Sequence, residues 1–351
     1  MTFKMAVTDF HKKIFVYAHW RDLADAALMG CLYSTLSKGK EIFLFEYDEA
    51  WLRSGFSQTI DPDLQLYSGP QYVRDDKRNF GIFLDSCPDR WGRVLMQRRE
   101  ALLAKKGSRK PKNLLESDYL LGVFDGHRMG ALRFKLEEKG EFLNDNKEMA
   151  SPPWVSLREL EHASLKFEED NIDDPEYSKW INMLIAPGTS LGGARPKSGV
   201  LDPEGNLWIA KFPSKNDDKD VGGWEMVVNE LAKLSGLNIA EGRAQKFNSK
   251  YHTFLTKRFD RTGKGERIHF ASAMTLTGHT DGDDHEGGAS YLQLAEFLIR
   301  NGARVNENLE ELWKRIVFNI CVKNTDDHLR NHGFLFTDKG WILSPAYDIN
   351  A

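Results

Sequence analysis

Between Thr325 and Asp348 the chain runs through a polar loop, two apolar runs and a second polar segment, an order that leaves it little conformational freedom. Gly333-Phe334-Leu335-Phe336 and Trp341-Ile342-Leu343 flank Thr337-Asp338-Lys339-Gly340, the pattern of a β-hairpin with a glycine-assisted turn. A hairpin there brings Asn331, which precedes it, close to Asp348, which follows it. Asp326 and Asn331 stand as D-x-x-x-x-N, the spacing with which a phosphotransfer loop sets a carboxylate beside an acceptor hydroxyl and an amide on Mg2+. Asp348 would be the second ligand, since Mg2+ takes hard oxygens and usually only one or two carboxylates, completed by phosphate oxygens.

Two other readings fit this stretch alone. His328 and His332 lie four apart and, with Asp326, suggest a metallohydrolase, although the glutamate of H-E-x-x-H is missing and Gly333 follows at once. A polar turn whose Asp and Asn side chains bind their own backbone also fits. The upstream chain decides among them.

Residues 188–200 are glycine-rich, with Gly192, Gly193 and Ala194 where a backbone can approach phosphates and offer N–H groups. The run is neither a Walker A loop nor G-x-G-x-x-G, and a surface turn is its plain alternative. Beyond the turn Pro203-Glu204-Gly205-Asn206 comes a strand with an internal lysine, Leu207-Trp208-Ile209-Ala210-Lys211-Phe212. A helix over 224–234 follows, with Val227, Val228, Leu231 and Leu234 as its apolar stripe and Glu225 in its first turn; Ser235-Gly236 stops it. Glycine loop, strand lysine and helix glutamate is the order of a kinase N-lobe, where the lysine binds α/β-phosphates and the glutamate holds the lysine. A glutamate at that point also serves the helix dipole alone. Residues 251–261 read as the last strand of this lobe running into a hinge, whose backbone would bind adenine.

Elsewhere, Ile14-Phe15-Val16-Tyr17 and 41–47 are β-type runs, the second alternating as if one face were buried. Ser86-Cys87-Pro88-Asp89 starts a basic helix whose Arg90, Arg93, Arg98 and Arg99 read as a solvated face. Residues 114–134 read as helix, turn and strand. The polar stretch 137–151, followed by Pro152-Pro153, reads as a linker. Leu157, Leu160, Ser164 and Phe167 recur at helical spacing. Residues 277–289, rich in Gly, Asp and His, read as a mobile loop in which His279 and His285 are solvated. Ser290 and Asn308 open two capping-box sequences, the second leading a helix with Leu309, Leu312, Trp313, Ile316, Val317 and Ile320 on a buried face. The expected fold is α+β and two-lobed, protein-kinase-like. Its division is a β-rich part over 1–150, an N-lobe-like part over 151–261 and a helical C-lobe over 262–351.

Composition adds exclusions. A net charge of −4 from interspersed acids and bases gives no global field toward nucleic acid or an anionic membrane. Cys31, Cys87 and Cys321 are three and far apart, which argues against a disulfide framework or a zinc ribbon and for a reducing compartment. No apolar run approaches membrane-spanning length, so a cytoplasmic protein is expected.

With residues 188–200, Trp208 to Phe212, 255–261, Thr325 to Asn331 and Tyr347-Asp348 in this order, the chain resembles HipA-family serine/threonine kinases, the toxins of bacterial type II toxin–antitoxin pairs. Phe43-Leu44-Phe45-Glu46-Tyr47 with Trp51-Leu52, and Cys87-Pro88-Asp89-Arg90-Trp91-Gly92, resemble that family's opening subdomain. The resemblance implies Asp326 as the catalytic aspartate and Asn331 and Asp348 as Mg2+ ligands. It implies Lys211, paired with Glu225, as the ATP lysine, and Gly192, Gly193, Ala194, Lys257, Phe259, His328 and Tyr347 as nucleotide neighbours. Ser190 would be the loop serine whose autophosphorylation switches the enzyme off, because a phosphoserine of about −1.5 to −2 charge cannot share a loop with ATP phosphates. The implied partners are a protein substrate such as an aminoacyl-tRNA synthetase and a small helix-turn-helix antitoxin, with DNA reached only through that antitoxin. Two departures stand out. The chain stops at Ala351, where such kinases continue into further C-lobe helices, so an incomplete C-lobe is expected, and with it the alternative of an inactive binding protein. Asp327 adds a carboxylate beside the catalytic one, either repelling it or turned outward. A small-molecule kinase of related fold is the remaining alternative.

Overall fold

The computed structural model describes residues 11–20, 23–169, 176–185 and 193–350. The chain opens with an antiparallel meander of β1 (Lys12–Ala18), β2 (Ala27–Ser37) and β3 (Lys40–Tyr47). Lys38 and Gly39, both at positive φ, make the two-residue turn between β2 and β3, a geometry whose twist matches that of the strands. Then follow α1 (Glu49–Arg53), β4 (Gln71–Tyr72), α2 (Gly81–Asp85), α3 (Arg90–Lys106), α4 (Glu116–Gly122) and β5 (Leu132–Lys135). β4 and β5 close the two edges, giving the order β4-β3-β2-β1-β5. Phe43, Phe45 and Tyr47 on β3 are buried, as its alternation predicts.

The middle of the chain holds α5 (Leu157–Glu168), α6 (Tyr177–Ile185), β6 (Lys197–Leu201), β7 (Leu207–Lys211), α7 (Val221–Leu234), β8 (Gly242–Lys246) and β9 (His252–Lys257). The strands form an antiparallel sheet in the order β6-β7-β9-β8. Its core takes Leu160 from α5 and Ile181 from α6, and also Trp91 and Leu95 from α3, against Trp208 and Leu255.

Last come β10 (Phe270–Ser272), α8 (Ala273–Leu276), α9 (Tyr291–Asn301), α10 (Val305–Cys321), β11 (Gly333–Thr337) and β12 (Gly340–Leu343), the strands ordered β10-β11-β12. Here Leu298, Leu312, Phe334 and Trp341 share one core with Val16, Leu32 and Phe45 of the first sheet. The cores therefore do not follow the sequence boundaries at 150 and 261. A buried ionic lock also crosses the first of them: Asp260 accepts from Arg258, from Arg261 and from the Gly130 amide, while Arg258 donates to the His127 carbonyl.

Several expectations are corrected. Residues 137–151 are no free linker, because the Leu143 and Asn144 amides donate to the Phe134 and Val123 carbonyls and Met149 is buried in the second core. The basic face of α3 is partly tied down: Arg93 makes a two-pronged pair with Glu116. α10 starts a turn before its expected capping box. Asn308 lies inside the helix, where its Oδ1 accepts from the Leu343 amide. Its buried residues are Asn308, Leu312, Arg315, Phe318 and Asn319, while Trp313 and Ile320 are exposed. α7 is rotated likewise: Glu225, Val228, Asn229 and Ala232 face inward, and Trp224, Val227, Leu231 and Leu234 are exposed. Gly222 sets that rotation, since a Cβ there would lie 2.2 Å from the His252 carbonyl oxygen on β9. The capping box at Ser290 and Gln293 is present.

Candidate active site

Lys211 ends β7 with its ammonium buried between two carboxylates. Nζ donates to Glu225 Oε1 on α7 and to Asp348 Oδ1, the latter at 2.5 Å. The rotation of α7 is what turns Glu225 onto the sheet, and the N-cap Asp220, accepting from the Gly223 amide at 3.0 Å, fixes the first turn. Burial disfavours all three charges, yet the pairing wins at two of them. The Lys211 pKa is raised by Asp348 and Glu225, and Asp348, against its own burial, is drawn down to about 2 by Lys211. Glu225 goes the other way, pushed up by burial despite Lys211. One cation facing two carboxylates leaves the cluster negative, a setting that favours a further cation.

Asp348 adopts a left-handed backbone, φ 57°, which aspartate tolerates better than most residues but which still strains the chain. Its neighbour Tyr347 holds that turn: the hydroxyl donates to the Arg330 carbonyl at 2.7 Å, and the ring lies 5.4 Å from that of Phe259. Tyr347 thus ties the segment before Asp348 to the 325–331 loop and to the hinge at once.

Within that loop the Asn331 amide nitrogen donates to the Asp326 carbonyl at 2.8 Å, and the Asn331 backbone amide to the His328 carbonyl at 2.8 Å. With its nitrogen so engaged, the side chain offers Oδ1 as its ligand atom. Asp326 is exposed. Asp327 is turned inward, not outward: it accepts from Tyr291, from Asn319 at 2.7 Å and from His332 at 2.8 Å. Those bonds hold its pKa down against burial. His332 is thereby a support of the loop, not half of a histidine metal pair.

A cleft between the second sheet and the Tyr347-Asp348 segment is walled by Ile209, Thr256, Lys257, Phe259 and Tyr347, with Lys211 and Asp348 at one end. Apolar and aromatic walls leading to a charged end suit a flat base carrying phosphates. The Lys257 and Arg258 amides are engaged with the Glu241 and Leu207 carbonyls, so they close the sheet. Gly193 and Ala194 are exposed at the start of the strand lead-in, and His328 is exposed on its loop; Gly192 and Ser190 lie outside the described residues. The donors fit Mg2+ in kind, being carboxylate and amide oxygens. Among the described residues no group of three or more His, Cys, Asp or Glu is gathered to hold an ion. Two charged residues that sequence reasoning passed over also reach this region, Lys197 and Asp89; only the register of β6 against β7 could have pointed to the first.

Comparison with known proteins adds the following. Residues 189–351 match the HipA-like C-terminal domain family. A putative kinase of Sinorhizobium fredii is 30% identical over 148 residues, 40% of this chain and 33% of that protein. The serine/threonine-protein kinase toxin HipA of Shewanella oneidensis is 26% identical over 235 residues, 56% of this chain and 52% of that one. The chain therefore spans about half or less of the length of these curated relatives. Among solved structures, the Shewanella oneidensis complex of HipA, HipB and operator DNA has a chain that superposes with a TM-score of 0.60 at 20% identity, covering 96% of this chain and 76% of that chain. The fold is thus HipA-like and kinase-like. No helix among the described residues is long and apolar enough to cross a membrane.

Proposed function

We propose that the chain, whose residues 189–351 match the HipA-like C-terminal domain family, is an ATP-dependent serine/threonine protein kinase of the HipA family. The observation that carries the reading is the buried cluster of Lys211, Glu225 and Asp348 at the end of an aromatic-walled cleft. Adenine lies against Ile209, Phe259 and Tyr347, and Lys211, held by Glu225, meets the phosphates. Asp348 and Asn331 would hold Mg2+, which would supply positive charge to neutralise the phosphates. Asp326 orients the acceptor hydroxyl and takes its proton as the hydroxyl oxygen bonds to the γ-phosphorus and the bond to ADP breaks. Exposure suits Asp326 to this work, since a protein hydroxyl must reach it. A growth-arresting role opposed by a small DNA-binding antitoxin belongs to the same proposal, supported by likeness to a HipA solved with HipB and operator DNA.

Intact-mass measurement and phosphopeptide mapping before and after Mg2+-ATP test it, with Asp326→Ala as control. Phosphate on the wild type, at Ser190 if the loop serine is the acceptor, and none on the variant is the expected result. Absence of phosphate on the protein and on added protein substrates, together with no ATP binding by calorimetry, would sink the proposal.

A further inference from the structure

β6 and β7 pair in a register that sets Lys197 directly opposite Lys211. Directly opposed residues of an antiparallel pair project to the same face, so two buried lysines stand side by side at the cleft's charged end. Lys211 is partnered by α7 and the Tyr347-Asp348 segment. Lys197 is partnered from elsewhere: its Nζ donates to Asp89 Oδ2 at 3.0 Å, and both side chains are 2% exposed. The same Nζ donates to the Gly193 carbonyl at 2.7 Å, so the ammonium joins Asp89 to the glycine-rich segment. Asp89 is itself immobilised, because its Oδ1 caps α3 by accepting from the Gly92 amide at 2.8 Å. Two residues on, Trp91 Nε1 donates to the Lys197 carbonyl at 3.0 Å. The start of α3 therefore grips the lead into β6 at both backbone and side chain.

We propose that Asp89, a residue of the N-terminal part, is a positioning residue for the phosphate loop, acting through Lys197 on the backbone at Gly193. This rests on the kinase reading above and adds a contributor from outside the matched C-terminal domain. The physical case is that a buried ammonium holds one place only where a fixed carboxylate meets it. Without that carboxylate, Lys197 leaves the Gly193 carbonyl or turns toward phosphate on its own terms, and the backbone at Gly193 loses the contact that fixes its place. The dependence is then on phosphate, not on the base, because the adenine walls are made by β7, the hinge and Tyr347.

The test compares ATP with adenosine on the full chain. Asp89→Asn keeps a capping oxygen for the Gly92 amide and removes the charge facing Lys197. Expected is a loss in Mg2+-ATP affinity of about tenfold, the scale of one charge-assisted hydrogen bond, with adenosine affinity unchanged within about twofold. Should Asp89→Asn fail to fold, Asp89→Glu, which keeps the charge and shifts it by one methylene, carries the same comparison. ATP and adenosine weakened alike, or neither weakened, would overturn the proposal, since a merely structural residue does not distinguish them. A wild type that binds neither would instead remove the kinase reading beneath it.

Discussion

Lys211 Nζ lies 2.5 Å from Asp348 Oδ1, so the strand lysine and the candidate metal ligand form a single ion pair with Glu225 on its other side. Removing the lysine leaves the buried Glu225 carboxylate and the part-buried Asp348 carboxylate without their cation. Lys211→Met should abolish phosphotransfer and cost about 3–5 kcal/mol of stability, the usual penalty for an uncompensated buried charge. Urea unfolding with a mass-based phosphorylation assay reads both effects. Unaltered stability would mean that the pair is not formed in solution.

Asp326 and Asp327 are neighbours with separable tasks. Asp326→Asn should leave the melting temperature within about a degree while lowering the rate by at least ~100-fold, the scale of a lost general base. Asp327→Asn weakens the bonds to His332, Tyr291 and Asn319, and should cost about 2 kcal/mol, through a loss at buried charge-assisted hydrogen bonds. Paired melting and rate measurements would contradict this if the two variants behaved alike.

Tyr347→Phe keeps the ring beside Phe259 and deletes the hydrogen bond to the Arg330 carbonyl. The expected stability change is only about 1 kcal/mol. The rate should fall more than that implies, because the bond links the Asp348 turn to the loop carrying Asp326. A kcat that does not change would show the link to be dispensable.

Acid sensitivity should come from two buried histidines. His269 sits among Trp20, Phe336 and Trp341 with no hydrogen-bond partner for either ring nitrogen among the described residues, and His127 accepts from the Ser151 amide; burial lowers each to about 3. Their folded values lie below the unfolded 6.5. The unfolded chain therefore takes up protons first, and stability present above pH 6.5 is lost as pH falls toward 3. Each contributes a slope of about 1.4 kcal/mol per pH unit across that window. His269→Phe should leave stability at pH 7 equal or higher and lower the slope between pH 6 and 4.5 by about 1.4 kcal/mol per pH unit. Chemical denaturation over that range is the measurement, and a slope identical to wild type would contradict the assignment.

Much of this site was legible in the sequence because its parts are local. The Lys211 strand, the helix bearing Glu225, and the hairpin between Asn331 and Asp348 each announce themselves by period and turn residues. What periodicity could not supply was which face of a helix a neighbour covers. The stripe of Val227, Leu231 and Leu234 reads as core by spacing, yet Gly222 against the β9 backbone turns it out and brings Glu225 in. The same limit hid the inward turn of Asp327, whose partner Tyr291 lies 36 residues away, and of Asn308, whose partner Leu343 lies 35 residues away. Asp89 and Lys197 lie 108 residues apart, and neither residue type nor local pattern relates them. The 137–151 stretch looked like a linker because its side chains are polar, whereas its anchoring is through backbone amides, to which composition is blind.

The core shared by the first sheet and the last hairpin governs how the molecule can be made. β1 to β3 leave the ribosome roughly 250 residues ahead of Leu298, Leu312, Phe334 and Trp341, the side chains that complete their packing, an interval of about 12–50 s at ~5–20 residues per second. Through that interval the nascent sheet must wait with an unfinished face. The same delay keeps Lys211 and Asp348 apart until β11 and β12 have been synthesised, so the ion pair at the end of the cleft forms only after the whole of the second sheet has emerged.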